Sequence, residues 1–176
     1  RRGPVMRPTF WQRLDTFARH LTPVALTLVL VILNVVPTHI PGIARVLPVL
    51  PLIAVFYWSI HRPHLMPAPA VFLIGLFQDG LTGAPMGLHA LIFLAVQGVV
   101  LFQHKFFMGK SFFVHWLGFG LVGAGAALLS WGLLSAFYVT LFAAEAIAFQ
   151  YVMTVAAFPL FAFIFSRWQQ AFLKLD

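Results

Sequence analysis

Phe112-Phe-Val-His-Trp-Leu-Gly118-Phe-Gly120-Leu-Val-Gly123-Ala124-Gly-Ala-Ala127-Leu-Leu-Ser-Trp-Gly132-Leu-Leu-Ser-Ala-Phe-Tyr138 contains no Asp, Glu, Lys or Arg. As a helix it would be about 40 Å long at 1.5 Å per residue, more than the roughly 30 Å hydrocarbon core of a bilayer. Its residues 118–123 match G-x-G-x-x-G letter for letter. That pattern cradles a pyrophosphate only when it follows a β-strand and opens an exposed helix. Inside an uninterrupted apolar run it reads instead as a close-packing face. Gly120 with Ala124, and Gly123 with Ala127, are small residues at i, i+4 that admit a neighbouring helix.

The rest of the chain has the same character. Of its 176 residues 61% are hydrophobic and 9% charged, against about 25% charged in a soluble domain. Such a surface cannot be wetted, so the solvent is lipid. The apolar runs predict an all-α membrane protein, one integral domain over residues 1–176, with spans at about 22–40, 43–60, 68–81, 86–102, 112–138 and 143–165. In the first span Pro23 is expected in the opening turn, where a missing N–H costs least. Residues 7–21 read as a separate basic amphipathic helix on the membrane surface. Tyr57 and Trp58 are expected at headgroup level, and Pro159 as a kink. The third run is short, about 21 Å of helix, and is followed by the turn-forming Gly83-Ala-Pro85-Met-Gly87.

The cations give a direction. Ten of the eleven (Arg1, Arg2, Arg7, Arg13, Arg19, Arg62, Lys105, Lys110, Arg167, Lys174) fall on one side of a six-span path. Arg45 alone falls on the other. The positive-inside rule then makes both termini cytoplasmic, and removing any one span scrambles the alternation. The +7 formal charge is thus a topology signal, and no nucleic-acid partner is expected. There is no Cys, hence no thiolate chemistry.

Few residues carry chemistry. Asp79 is an acid at membrane depth, which points either to organisation of the glycine turn or to a ligand or proton role. Glu145 suits the N-terminus of the last helix. His61 and His64 lie at i, i+3 without a third ligand, and Asn34 can bond across helices. No nucleophile–base pair and no paired acids are visible, so no enzymatic activity, cofactor or metal is expected.

One stretch resembles a known family. Tyr57-Trp58-Ser-Ile-His-Arg-Pro63, followed by Phe72-Leu-Ile-Gly75-Leu-Phe-Gln-Asp79-Gly-Leu-Thr-Gly83-Ala-Pro-Met-Gly87-Leu-His-Ala-Leu91, resembles MreD, the rod shape-determining membrane protein family. The resemblance covers residues 47–103 and is hydropathic elsewhere. It makes Tyr57, Trp58, Pro63, Gly75, Asp79, Gly83 and Gly87 the motif residues. It implies a fold similar to the six-helix S components of energy-coupling-factor transporters, and a place in the bacterial cytoplasmic membrane. It also implies a non-enzymatic role in the cell-elongation (Rod) machinery. The implied partners are a bitopic MreC-like protein, MreB, RodA, a class B penicillin-binding protein and membrane lipid. A second reading stays open: an S component that binds a small molecule near Asp79.

Overall fold

The computed structural model describes residues 9–36, 48–140 and 144–172. Among these the chain is helical, with no strand. The helices are α1 (Phe10–Val35), α2 (Leu50–His61), α3 (Ala68–Thr82), α4 (Leu88–Phe102), the single turn α5 (His104–Phe107), α6 (Phe112–Tyr138) and α7 (Ala144–Phe172). Three of them, α1, α6 and residues Ala144–Ala171 of α7, are long and apolar enough to cross a membrane; α2, α3 and α4 are apolar but shorter. This is the architecture of a membrane protein. Its outward face agrees, since Leu117, Leu121, Leu128, Phe137, Val152, Leu160 and Phe163 are all exposed.

The six principal helices alternate in direction. At one end the second half of α1, the start of α2, the end of α3 and the start of α4 meet: Asn34 donates to Pro48 O (2.7 Å), and Gln78 donates to Asn34 Oδ1 (3.1 Å). At the other end His20 of α1 stacks edge-on to His64, and His104 donates to Ile60 O (3.0 Å). There too His61 meets His115 of α6, and Tyr57 donates to Gln169 of α7 (3.1 Å). The described cations Arg13, Arg19, Arg62, Lys105, Lys110 and Arg167 all belong to this second, basic end.

Helix α2 is the axis of the bundle. Every residue from Pro51 to Ile60 is buried, and Phe56 packs edge-on to Phe107, Phe119 and Phe158. Residues 51–60 of α2 are therefore solvated by protein rather than lipid. Tyr57 and Trp58 face protein rather than lipid at the basic end of the bundle: Trp58 is 0% exposed and Tyr57 4%.

Several boundaries also move. The first span and the surface helix expected before it are one helix, with Pro23 in its interior. Residues 10–22 contain neither Gly nor Pro, so nothing stops the helix, and Pro23 removes only one backbone hydrogen bond. The hydroxyls of Thr22 and Thr27 bond the carbonyls of Ala18 (3.1 Å) and Pro23 (2.7 Å) on either side of the gap. Helix α2 starts at Leu50, where Pro51 fits the first turn. Helix α7 runs on to Phe172, because Gln169 is anchored to Tyr57. Helices α3 and α6 match the expected 68–81 and 112–138 within one residue. The expected segments 37–40 and 43–47, residue 143, and Arg1, Arg2, Arg7, Arg45 and Lys174 lie outside the described residues.

Candidate functional site

The motif residues meet in the α3–α4 hairpin. Helix α3 ends at Gly83, whose φ of 70° is the left-handed conformation that glycine adopts without a Cβ clash. Pro85 follows, and the turn closes with Leu88 N–H donating to Pro85 O (3.1 Å). Gly87, at φ 95°, is the N-cap of α4. A glycine brings no side chain to the orphan amides of the first turn, and those amides need an acceptor.

Asp79 supplies it from the opposite helix. Its Oδ2 accepts the Gly87 N–H (2.9 Å), and its carboxylate accepts the His89 N–H (3.0 Å to Oδ1, 3.2 Å to Oδ2). This is the work of a Ser, Asp or Asn N-cap, done by a residue on the neighbouring helix. The negative charge also sits at the positive end of the α4 dipole. The His89 ring completes the arrangement: Nδ1 donates to Asp79 Oδ1 at 2.7 Å, an ion pair whenever the imidazole is protonated. Asp79 is fully buried, with its acceptors turned inward on the hairpin.

Gly75, one turn before Asp79 on the same face of α3, makes this capping reachable. A Cβ built at Gly75 would overlap the backbone of Ala90 and His89, so only glycine lets α3 come this close to α4. Gly80 by contrast faces open space. Pro63 opens the short 3-10 turn that joins α2 to α3. Gln97 of α4 donates to Met66 O (2.6 Å) and pins that turn from inside.

Beside the hairpin is a cavity of about 220 Å³ lined by Asn34, Gln78, Thr82, His89, Ser130 and Gln150. The direction of its polar network is fixed. Asn34 Nδ2 faces a carbonyl, so Asn34 Oδ1 must receive the Gln78 amide N–H. Gln78 Oε1 is then a buried acceptor without a partner among the described residues, on a residue only 2% exposed. A smaller space of about 50 Å³ adjoins it, between His89, Tyr151 and Thr154.

The α6 glycines face different neighbours. Tyr151 of α7 lies over Gly120 and Gly123, and its hydroxyl donates to Gly120 O at 2.6 Å. Gly118 faces the Phe107 ring. Ala124 and Ala127 open with Ala144, Ala148, Trp131 and Tyr151 onto a groove of about 390 Å³, lined almost wholly by apolar atoms. His61 and His64 do not act together: His61 Nδ1 donates to Tyr57 O (3.0 Å), while His64 meets His20. Glu145 is exposed in the first turn of α7. Among the described residues no three His, Cys, Asp or Glu side chains gather as a metal-binding group.

Sequence reading passes over Gln78, and takes His89 only as an interfacial or packing residue. A signal for His89 existed: Asp79 lies four residues before Gly83 and His89 two residues after Gly87, so a tight turn between antiparallel helices brings the two near each other. No family model, curated protein or solved structure matches the chain.

Proposed function

We propose that this chain is a non-enzymatic scaffold of the bacterial cell-elongation (Rod) complex. It would cross the cytoplasmic membrane six times with both termini inside, and bind a bitopic MreC-like protein. Through that protein it would support MreB, RodA and a class B penicillin-binding protein in lateral peptidoglycan synthesis.

The observation that carries the reading is the α6–α7 face. Both helices are long, apolar and mostly uncovered by the rest of the bundle. The groove between them, floored by Ala124, Ala127, Ala144 and Ala148, fits a single transmembrane helix packing through small residues. The MreD-like motif supports it from the other side. Gly75, Asp79, Gly83 and Gly87 serve the architecture of one hairpin, and the conspicuous acid is committed to capping α4. The six-span topology is supported by the alternation of helix directions and by the gathering of all described cations at one end. The short α2, α3 and α4 suit such a path because irregular backbone at membrane depth is tolerated where protein surrounds it.

A second reading, a small-molecule-binding S component of a transporter, is favoured by one observation. The 220 Å³ cavity beside His89 is polar and holds Gln78 Oε1, which has no partner among the described residues. One experiment separates the two: purify the tagged chain in mild detergent and identify its companions. A bitopic elongation protein, with rods rounding on depletion, supports the scaffold. Companion ATPase subunits, or a tightly held vitamin, overturn it.

A further inference from the structure

The basic end of the bundle carries a feature that neither reading uses. Between α2, α6 and α7 is a cleft of about 230 Å³ whose polar side chains come from four separate segments. These are Tyr57 and His61 of α2, Lys110 in the turn before α6, His115 in the first turns of α6, and Ser166 of α7. The floor beneath them is apolar, with Phe56, Phe112, Phe158 and Ala162, and no carboxylate lines the cleft among the described residues.

The two imidazoles are oriented for a ligand. His61 spends its Nδ1–H on Tyr57 O (3.0 Å), and His115 spends its Nε2–H on Phe107 O (2.8 Å). Each ring therefore keeps one nitrogen, Nε2 of His61 and Nδ1 of His115, that becomes a second donor on protonation. The rings lie edge-to-face at 5.4 Å. Lys110 is exposed, and its ammonium rests 5.5 Å from the Phe106 ring centroid on a flexible stem. Ammonium, two imidazoles and a hydroxyl over an aromatic floor, at the end of a membrane-length helix, match the chemistry of an anionic phosphate ester with an apolar tail.

We infer that this cleft binds a phosphate-ester anion, held by Lys110, His115 and His61, and that its natural source is an anionic phospholipid of the adjoining leaflet. Acyl chains then run from the aromatic floor along the uncovered faces of α6 and α7. The titratable and charged groups facing the cleft are Tyr57 and His61 from α2, Lys110, and His115 from α6. Helix α7 gives Ser166 and, next to it, Arg167, whose guanidinium lies 5.1 Å from the Phe163 ring centroid. The site does not depend on which companion the bundle holds.

The test is native mass spectrometry of the full chain in detergent, titrated with phosphatidylglycerol and with phosphatidylcholine of identical acyl chains. A third arm uses soluble glycerol phosphate. The wild type is expected to retain one phosphatidylglycerol about tenfold more tightly than phosphatidylcholine. Lys110→Met and His115→Gln lose that preference, and Lys105→Met, an exposed cation outside the cleft, keeps it. Lys110 is exposed, so its variant folds, and an unchanged melting temperature verifies this. Glycerol phosphate binding that disappears in Lys110→Met upholds the phosphate site and assigns its source to a soluble molecule. Equal retention of the two lipids by the wild type, or a preference untouched by Lys110→Met, overturns the assignment.

Discussion

Replacing Asp79 by alanine removes the acceptor for three donors at once: the Gly87 N–H, the His89 N–H and the His89 Nδ1–H. Asp79 is fully buried, so water is not at hand to replace it. Each buried donor left without a partner costs about 1–3 kcal/mol. Taking the lower bound for all three gives at least about 3 kcal/mol, and for a chain of this size roughly 6–12 °C of melting temperature. Asparagine is the informative contrast. Its Oδ1 still accepts backbone N–H groups, and its amide can face the imidazole once the ring proton moves to Nε2. Asp79→Asn is therefore expected to lose only about 1 kcal/mol. The assay is thermal unfolding in one detergent, followed by circular dichroism, for wild type, both variants, His89→Ala and the Asp79→Ala/His89→Ala double variant. The double variant should be less damaged than the sum of its singles, because the two residues share a bond. An alanine variant melting within about 2 °C of wild type, or fully additive effects, would refute the capping role.

Two further outcomes follow from the same geometry. Gly75→Ala should cost about 1–3 kcal/mol, because its methyl meets the α4 backbone at Ala90, whereas Gly80→Ala in open space should be neutral or stabilising by up to about 1 kcal/mol; paired melting curves check both. The chain has no cysteine, so single-cysteine labelling gives its topology. Met86→Cys in the α3–α4 turn should react with a membrane-impermeant maleimide in spheroplasts, and Met108→Cys at the basic end only after lysis; the reverse pattern would invert the bundle.

Much of the fold was readable because lipid imposes a simple rule: apolar length sets helix length. Helices α3 and α6 show this, bounded by Pro67 and Gly83 on one side and by Ser111 and residue 139 on the other. Where tertiary packing overrides local signals, reading failed. Pro23 looked like a helix start, yet the upstream segment holds no helix breaker and α1 runs continuously through it. That α2, with Tyr57 and Trp58, lies at the centre of the bundle is something composition cannot reveal, because buried and lipid-facing helices are equally apolar. The candidate site was legible in part. Asp79 stood out because acids are scarce, and glycines 83 and 87 because a turn was needed. The meaning of Gly75 required the distance between two helices, and the buried Gln78 oxygen required the direction of a hydrogen-bond chain through Asn34.

The scaffold reading stands or falls on what occupies the groove between α6 and α7. A photo-crosslinking amino acid placed at Ala127 or Ala148, in a rod-shaped bacterium that depends on this chain, reports that occupant directly. The account predicts one dominant crosslinked product, a single-span elongation protein of the MreC kind, absent when the probe is moved to Ala84 at the α3–α4 turn. Crosslinks to lipid alone, or to transporter ATPase subunits, would contradict it.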